Sequence, residues 1–509
     1  MSDCLWLERP ARWRGWAVAL LLGVAFLPAV PLLGQGLLAG SGVTPAPLGN
    51  SVAVALLAAV SAWALGLPAG VLAALYDFPG RRLLLALPLL ALLAPPFLWA
   101  VGWSNLAVRL GPPFPAVFAG TSGCAVVFGT TALPLVLLSA YAASTALSGS
   151  QVDAARLAGG ERTVLWQVGR HAAMPAAVAA ALAGALTLAD PGPGFIFELP
   201  TAASEILTTF AVRHDFALAG RQWAIVLAVV LAPAGLFAVL AAPRLAREML
   251  ARPARSLPRV RHRLLGTAGC ALALAAAAAT LAPLVGLTLA VPTAADFGQA
   301  WRDVARTAGN TLLYAGGAAV VATAVGLALA VSAGRSGRLR TVCLAACLVL
   351  FALPPDLGAL GAVQAASAAP AWTDPLLRSR FTVCLVLGLR FVPVAAVLGL
   401  RAWGALPASW TAAAALHGVP LTRYLARVVV PFLLPAAAIA MCLVAPLALA
   451  DYGTVQLLAP PGEGSLPQNI VTVMANTREA RSAALCLIYV ALAAGALAGV
   501  WALTRKGAA

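Results

Sequence analysis

Four charged residues stand where the surrounding sequence is almost wholly apolar. Asp356 and Arg390 each lie well inside an uncharged stretch, and Asp190 and Asp451 close two others. An ionisable side chain within a lipid-crossing segment is costly and is normally paired or turned toward a polar cavity. At ~1.5 Å of rise per helical residue, Asp356 and Arg390 fall at similar depth, which predicts an ion pair between them. Such a pair either locks two helices together or belongs to a gate or solute path. Asp190 and Asp451 each precede a glycine-containing turn. They cap the helical segment that follows, or they flank an outer mouth that attracts cations.

Chemistry of other kinds finds little support. His171 and His417 lie near polar loops with no serine or carboxylate pattern around them that would make a nucleophile. A nucleotide-binding loop of the type GxxxxGK[ST] needs a lysine to reach the phosphates, and the only lysine is Lys506. The chain therefore carries no ATPase of its own and is expected to be a non-catalytic subunit. The eight cysteines are scattered through apolar stretches without a CxxC pair, and Cys343 with Cys347 reads as small-residue helix packing. No metal site and no bound cofactor is predicted.

The elements that hold these residues follow from composition. The 509 residues are 62% hydrophobic and 10% charged, with mean hydropathy +0.93. A soluble domain carries roughly 25% charged residues, so lipid must cover most of this surface. Stretches of ~18 apolar residues or more, enough to cross ~30 Å of hydrocarbon, occur near 14–38, 48–75, 83–107, 120–145, 171–190, 222–243, 264–290, 309–333, 341–366, 381–404, 430–450 and 483–504. The expected fold is all-α and polytopic, with about twelve transmembrane helices. The first stretch is too long for a signal peptide core and is expected to be retained.

The net charge of +16 does not signal nucleic acid. If the N-terminus is cytoplasmic, most of the basic residues fall on inner loops, among them Arg81, Arg82, Arg335, Arg338, Arg340 and the run from Arg244 to Arg263. That is the positive-inside asymmetry. It places the chain in an inner membrane with its N-terminus inside.

Landmarks recur at an offset near 260 residues. Asn50 matches Asn310, Pro95-Pro96 matches Pro354-Pro355, and Cys124, Gly129 and Pro134 match Cys384, Gly388 and Pro393. Gly159 matches Gly418, and Asp190 matches Asp451. Two tandem six-helix repeats, 1–255 and 256–509, are expected. An even number of spans gives both copies the same orientation, with a pathway between them. Asp356 and Arg390 match Phe97 and Thr131, so charge stands at both positions in one copy and at neither in the other.

Each copy has a distinctive loop between its fourth and fifth spans, 152–175 and 411–435. Asp153-Ala154-Ala155 with Gly159, and Ala412-Ala413-Ala414 with Gly418 and Pro431, keep one spacing. Small residues followed by glycine let a short helix end, turn and approach a partner closely. Arg156, Arg162, Arg423 and Arg427 form a polar rim around the turn.

These segments resemble the EAA loops of importer-type ABC permeases, whose pattern is E-A-A, three residues, Gly, nine residues, I-x-L-P. Val428-Val429-Val430-Pro431 supplies the closing element in the second copy. Ala412 replaces the acid there, and Ala172 replaces the closing proline in the first copy, where Pro175 aligns with Pro435. YDFPGRR after the second span, the double proline of the third, and LADPGPGFIF and LADYGTVQLL after the fifth of each copy extend the likeness to double-length permeases of ferric-iron importers. The resemblance implies a bacterial inner-membrane channel served by a separate ABC ATPase homodimer that uses ATP. It also implies a periplasmic solute-binding protein at the outer face. The cargo it implies is ferric iron. Thiamine, a polyamine or a phosphonate are alternatives, and an ion-coupled secondary transporter is an alternative of another class.

Overall fold

The computed structural model describes residues 12–36, 45–249, 257, 259–477 and 479–506. Among them the protein is helical throughout, with one isolated bridge from Tyr76 to Val260. The long elements are α1 (Arg12–Phe26), α2 (Pro45–Leu75), α3 (Arg81–Leu93), α4 (Pro96–Leu110), α5 (Gly120–Thr145), α6 (Gly149–Leu188) and α7 (Phe216–Glu248). They continue with α8 (Arg263–Ala290), α9 (Ala294–Ala333), α10 (Gly337–Ala352), α11 (Pro355–Ala368), α12 (Arg380–Ala405), α13 (Val430–Ala450) and α14 (Glu479–Lys506). Among the described residues ten helical stretches are long and apolar enough to cross a membrane, or up to twelve when each of two bent pairs counts as one span. The chain is a multi-pass membrane protein. The boundary expected at 255/256, and residues 250–256 and 258 of the basic linker, lie outside the described residues.

The expected spans 83–107 and 341–366 are not straight helices. Each is a bent pair, α3 with α4 at 105° and α10 with α11 at 85°. The bends fall at Pro95-Pro96 and Pro354-Pro355. A residue before proline is pushed out of the helical region. Ala94 (φ −113°, ψ 145°) and Leu353 (φ −63°, ψ 137°) are accordingly extended, as are Pro95 and Pro354 after them. The second proline of each pair then opens the next helix at a position where no amide bond is required. Two other stretches, 171–190 and 309–333, mark only the apolar parts of α6 and α9. Both helices start earlier, in more polar sequence that hydropathy alone does not register.

The tightest packing joins α2 to α5 and α9 to α12, with α6 and α13 laid against each pair. Helices α1 and α8 pack across the chain. The first lies against α9 and α10, and the second lies against α4. Glycine lets the central helices touch backbone to backbone. A Cβ at Gly70 would come within 2.5 Å of the Leu137 carbonyl, and one at Gly326 within 2.6 Å of the Ala396 amide. Overpacking of this kind costs ~1–3 kcal/mol. Gly70→Val and Gly326→Val should each lower the melting temperature of the detergent-solubilised protein, whereas Gly298→Val, with open space around it, should not. Equal melting of all three would contradict this packing.

Candidate functional site

A cavity of about 160 Å³ lies between the two proline elbows, walled by α3, α4, α5 and α6 on one side and by α10 to α13 on the other. Three carboxyls and one guanidinium line it: Asp190, Asp356, Asp451 and Arg390. The residues expected as an intramembrane pair and those expected as an outer mouth thus belong to a single site.

Within it the expected Asp356–Arg390 ion pair does not form. Arg390 Nη1 donates to Asp451 Oδ2 instead. Asp451 is the better partner because its second oxygen and its position are already fixed. Its Oδ1 accepts the Thr454 amide at 3.0 Å and its Oδ2 the Thr454 hydroxyl at 3.1 Å, at the start of helix Tyr452–Leu458. Asp190 plays a related part, its Oδ1 accepting the Gly192 amide at 2.8 Å. End-capping therefore describes Asp451, whereas Asp190 closes a local turn onto Gly192, at the start of a helix whose N-cap Pro191 offers no side-chain cap. Both carboxylates face the cavity.

Asp356 sits in the first turn of α11, only 2% exposed, and its Oδ2 has no hydrogen-bond partner. Gly453 closes over it, since a Cβ there would lie 2.5 Å from Asp356 Oδ1. Tyr452 meets Phe97, the residue matching Asp356, edge to face at 5.2 Å between centroids. Three carboxyls thus share one guanidinium. A buried polar atom without a partner is uncommon, and a free carboxyl beside an ion pair can take a proton, a cation or the guanidinium itself. Tyr452 and Gly453 were not singled out from the sequence, although LADYGTVQLL contains both.

The loop residues gather at one end of the helix bundle. Helix 149–158 starts at a capping box between Ser148 and Gln151 and carries Asp153, Ala154, Ala155 and Arg156. It breaks at Gly159-Gly160 before α6 runs on. The left-handed residue is Gly160 (φ 66°), whereas Gly159 is extended. In the other loop, Ala412, Ala413 and Ala414 lie on helix Ala408–Leu416, and Gly418 itself is left-handed (φ 63°). The turn is displaced by one residue between the loops, and the GG dipeptide was its only trace in the sequence. Leu157 is 91% exposed and Leu416 is 87% exposed, each just before its turn.

The two loops are held differently. Arg156 Nε donates to Glu161 Oε1 at 2.6 Å, and the Tyr76 hydroxyl donates to Glu161 Oε2. Asp153 adds only an exposed ion pair with Arg156 at 3.2 Å, a kind of contact worth little. The second loop uses a bond between the Thr411 and Tyr424 hydroxyls at 2.9 Å. There Pro431 lacks the amide that would continue the ladder, and a π turn over Leu425–Val429 precedes it. Ala172, at the matching place, is buried within the part of α6 that runs on after Gly160. No hydrogen bond or ion pair joins His171 or His417 to an acid among the described residues. Among the described residues no group of three or more His, Cys, Asp or Glu is arranged to hold a metal ion.

Comparison of the chain with protein-family models and with curated proteins gives no match.

Two outcomes follow from this geometry. Breaking a buried ion pair from one side costs ~3–5 kcal/mol. Arg390→Ala and Asp451→Asn should each destabilise the protein by about that order, and the double variant should lose less than their sum. Arg390→Ala with Asp356→Ala should show no such coupling in thermal unfolding. Strictly additive Arg390/Asp451 losses would contradict the pairing. At the loop, partial burial raises the Glu161 pKa, but the bonds from Arg156 and Tyr76 outweigh it and hold the carboxyl below its usual range. A depressed folded pKa contributes stability above the unfolded value, and that stability is lost as pH falls through the folded one. Hydrogen exchange over 148–165 should therefore be slow at neutral pH and rise only in acid below the ordinary glutamate range. Glu161→Gln should exchange faster at neutral pH with a flatter profile.

Proposed function

We propose that the chain is the membrane-spanning permease of an ABC importer, working with a separate ATPase homodimer and a periplasmic solute-binding protein. The observation that carries this reading is the matched pair of loop segments. Each presents a short helix, a left-handed glycine and an almost fully exposed leucine at the same end of the bundle. A single exposed leucine is ordinary. Two at positions 259 residues apart, on otherwise dissimilar loops, fit two copies of one docking element on a symmetric partner.

Several further pairs support tandem six-helix copies. Helices α5 and α12 both span 26 residues. The Ser51 hydroxyl accepts the Ala202 amide at 2.8 Å, and the Thr311 hydroxyl accepts the Leu466 amide at 2.9 Å. Ser51 and Thr311 are 260 residues apart, and each amide opens a short helix after the fifth long helix of its copy. In this reading the elbows and the cavity between them form the pathway, opened alternately to the two sides as the ATPase closes and releases. ATP is used by the partner and not by this chain. The basic loops support a cytoplasmic N-terminus, and the proposed permease would sit in a bacterial inner membrane.

Ferric iron is the cargo we propose, on the resemblance to ferric-iron permeases and on the surplus of carboxyls over guanidinium in the cavity. The unpartnered Asp356 favours a second reading, an ion-coupled carrier, because such carriers use buried carboxyls for protons or cations.

The two are separated by uptake into membranes with and without the partner ATPase. We expect uptake to require the ATPase and to survive an uncoupler. Uptake that persists without the ATPase and collapses with the uncoupler would sink the permease reading. Gly160→Val and Gly418→Val, each strained at positive φ, should leave the protein in the membrane yet lower transport per ATP hydrolysed by roughly ten-fold. Uptake of thiamine, a polyamine or a phosphonate in place of ferric iron would overturn the cargo alone.

A further inference from the structure

A second cavity, of about 370 Å³, lies near the loop-bearing end of the bundle between α5, α6 and α7. Its polar residues are Ser139, His171 and Arg244. Its deeper wall is apolar, made by Val178, Leu182 and Ala241. This cleft does not continue the pathway. At 3.6 residues per turn, the residues of α6 that face the central cavity (Ala183, Leu186, Thr187, Asp190) and those that face the cleft (His171, Pro175, Val178, Leu182) point roughly 100° apart.

Arg244 has an unusual environment. It and His171 are exposed, and among the described residues the Arg244 guanidinium's hydrogen bond is to the Met174 sulfur at 2.6 Å. A thioether is a weak acceptor, so a permanent cation rests at the mouth of the cleft without an oxygen partner among the described residues. Ser139 is already engaged with the Pro175 carbonyl at 3.0 Å, which leaves Arg244 and His171 as the donors that face a visitor. The chemistry that completes this arrangement is a phosphate group carried on an apolar chain. The phosphate would meet Arg244 and His171, and the chain would run along Val178, Leu182 and Ala241.

We propose that the cleft between α5, α6 and α7 binds an anionic phospholipid, headgroup at Arg244 and acyl chain against Leu182. Free phosphate would satisfy the guanidinium but would leave the apolar wall unused, and a zwitterionic lipid would bring a competing positive charge to the same mouth. Basic pockets between membrane helices favour anionic headgroups for this reason. The inference rests on membrane location alone and does not depend on the transport reading.

The test uses the full-length protein in mild detergent, titrated with phosphatidylglycerol, phosphatidylcholine or inorganic phosphate, with occupancy read by native mass spectrometry. We expect phosphatidylglycerol to bind at least about five-fold more tightly than phosphatidylcholine, the factor that one basic residue contributes at an anionic surface. Arg244→Ala should lose that preference. Leu182→Trp, which fills the apolar wall, should weaken binding of phosphatidylglycerol with Arg244 intact. Arg247→Ala, a basic residue outside the cleft, should change neither. Equal binding of the two lipids, or unchanged phosphatidylglycerol binding in Arg244→Ala, would overturn the proposal. Displacement of the lipid by millimolar inorganic phosphate would overturn it in favour of a soluble anion. Should Arg244→Ala fail to purify as a monodisperse protein, Leu182→Trp carries the test, and unaltered binding there is equally decisive against it.

Discussion

Backbone amides and carbonyls that cross lipid must find partners inside the protein, because hydrocarbon offers none. Continuous helices meet that requirement by themselves, and a break does not. The double prolines at 95–96 and 354–355 impose two breaks in the middle of apolar sequence. Each frees backbone groups that only protein or a lined cavity can serve. The buried indole of Trp99 answers one of them, donating to the Ala91 carbonyl across the elbow at 3.2 Å. Both elbows consequently lie inside the bundle, covered by α5 and α6 on one side and α12 and α13 on the other. The cavity between them is a product of that enforced burial.

Charge then gathers around this cavity. The last turns of α6 and α13 bring Asp190 and Asp451 to the cavity, and the elbow before α11 brings Asp356. One guanidinium, Arg390, stands among three carboxyls. It pairs with the carboxylate that helix capping already holds in place, and Asp356 is left with an unbonded oxygen. The positions that match at an offset near 260 differ in charge here. Phe97, matching Asp356, packs edge to face on Tyr452, which lines the cavity, and introduces no charge.

The loop end shows a similar inequality with a different cause. An acid at 153 and an alanine at 412 look like the gain and loss of a function, yet Asp153 makes only an exposed ion pair. The residues that hold the first loop are Glu161, Arg156 and Tyr76, and the last of these comes from the end of another helix. In the second loop a pair of hydroxyls and a π turn do the same work. The outward result is alike in both, a leucine exposed on a short helix before a left-handed glycine.

Hydropathy and spacing alone determine that this chain is helical, that it crosses a membrane about a dozen times, and where most of the crossing segments lie. These properties depend on local composition and on the thickness of a bilayer, and both can be counted along a chain. Charged residues in apolar surroundings were equally legible as members of a site, since lipid penalises them wherever they are. Which of them meet was decided by folding. The elbows turned α4 and α11 aside and so moved Asp356 away from the straight-helix geometry that had aligned it with Arg390. Capping at Tyr452–Leu458 then set Asp451 in the guanidinium's reach. The left-handed turn at Gly160 instead of Gly159 has the same origin. Either glycine can adopt it, and the choice follows from contacts that Tyr76, 85 residues away, makes with Glu161.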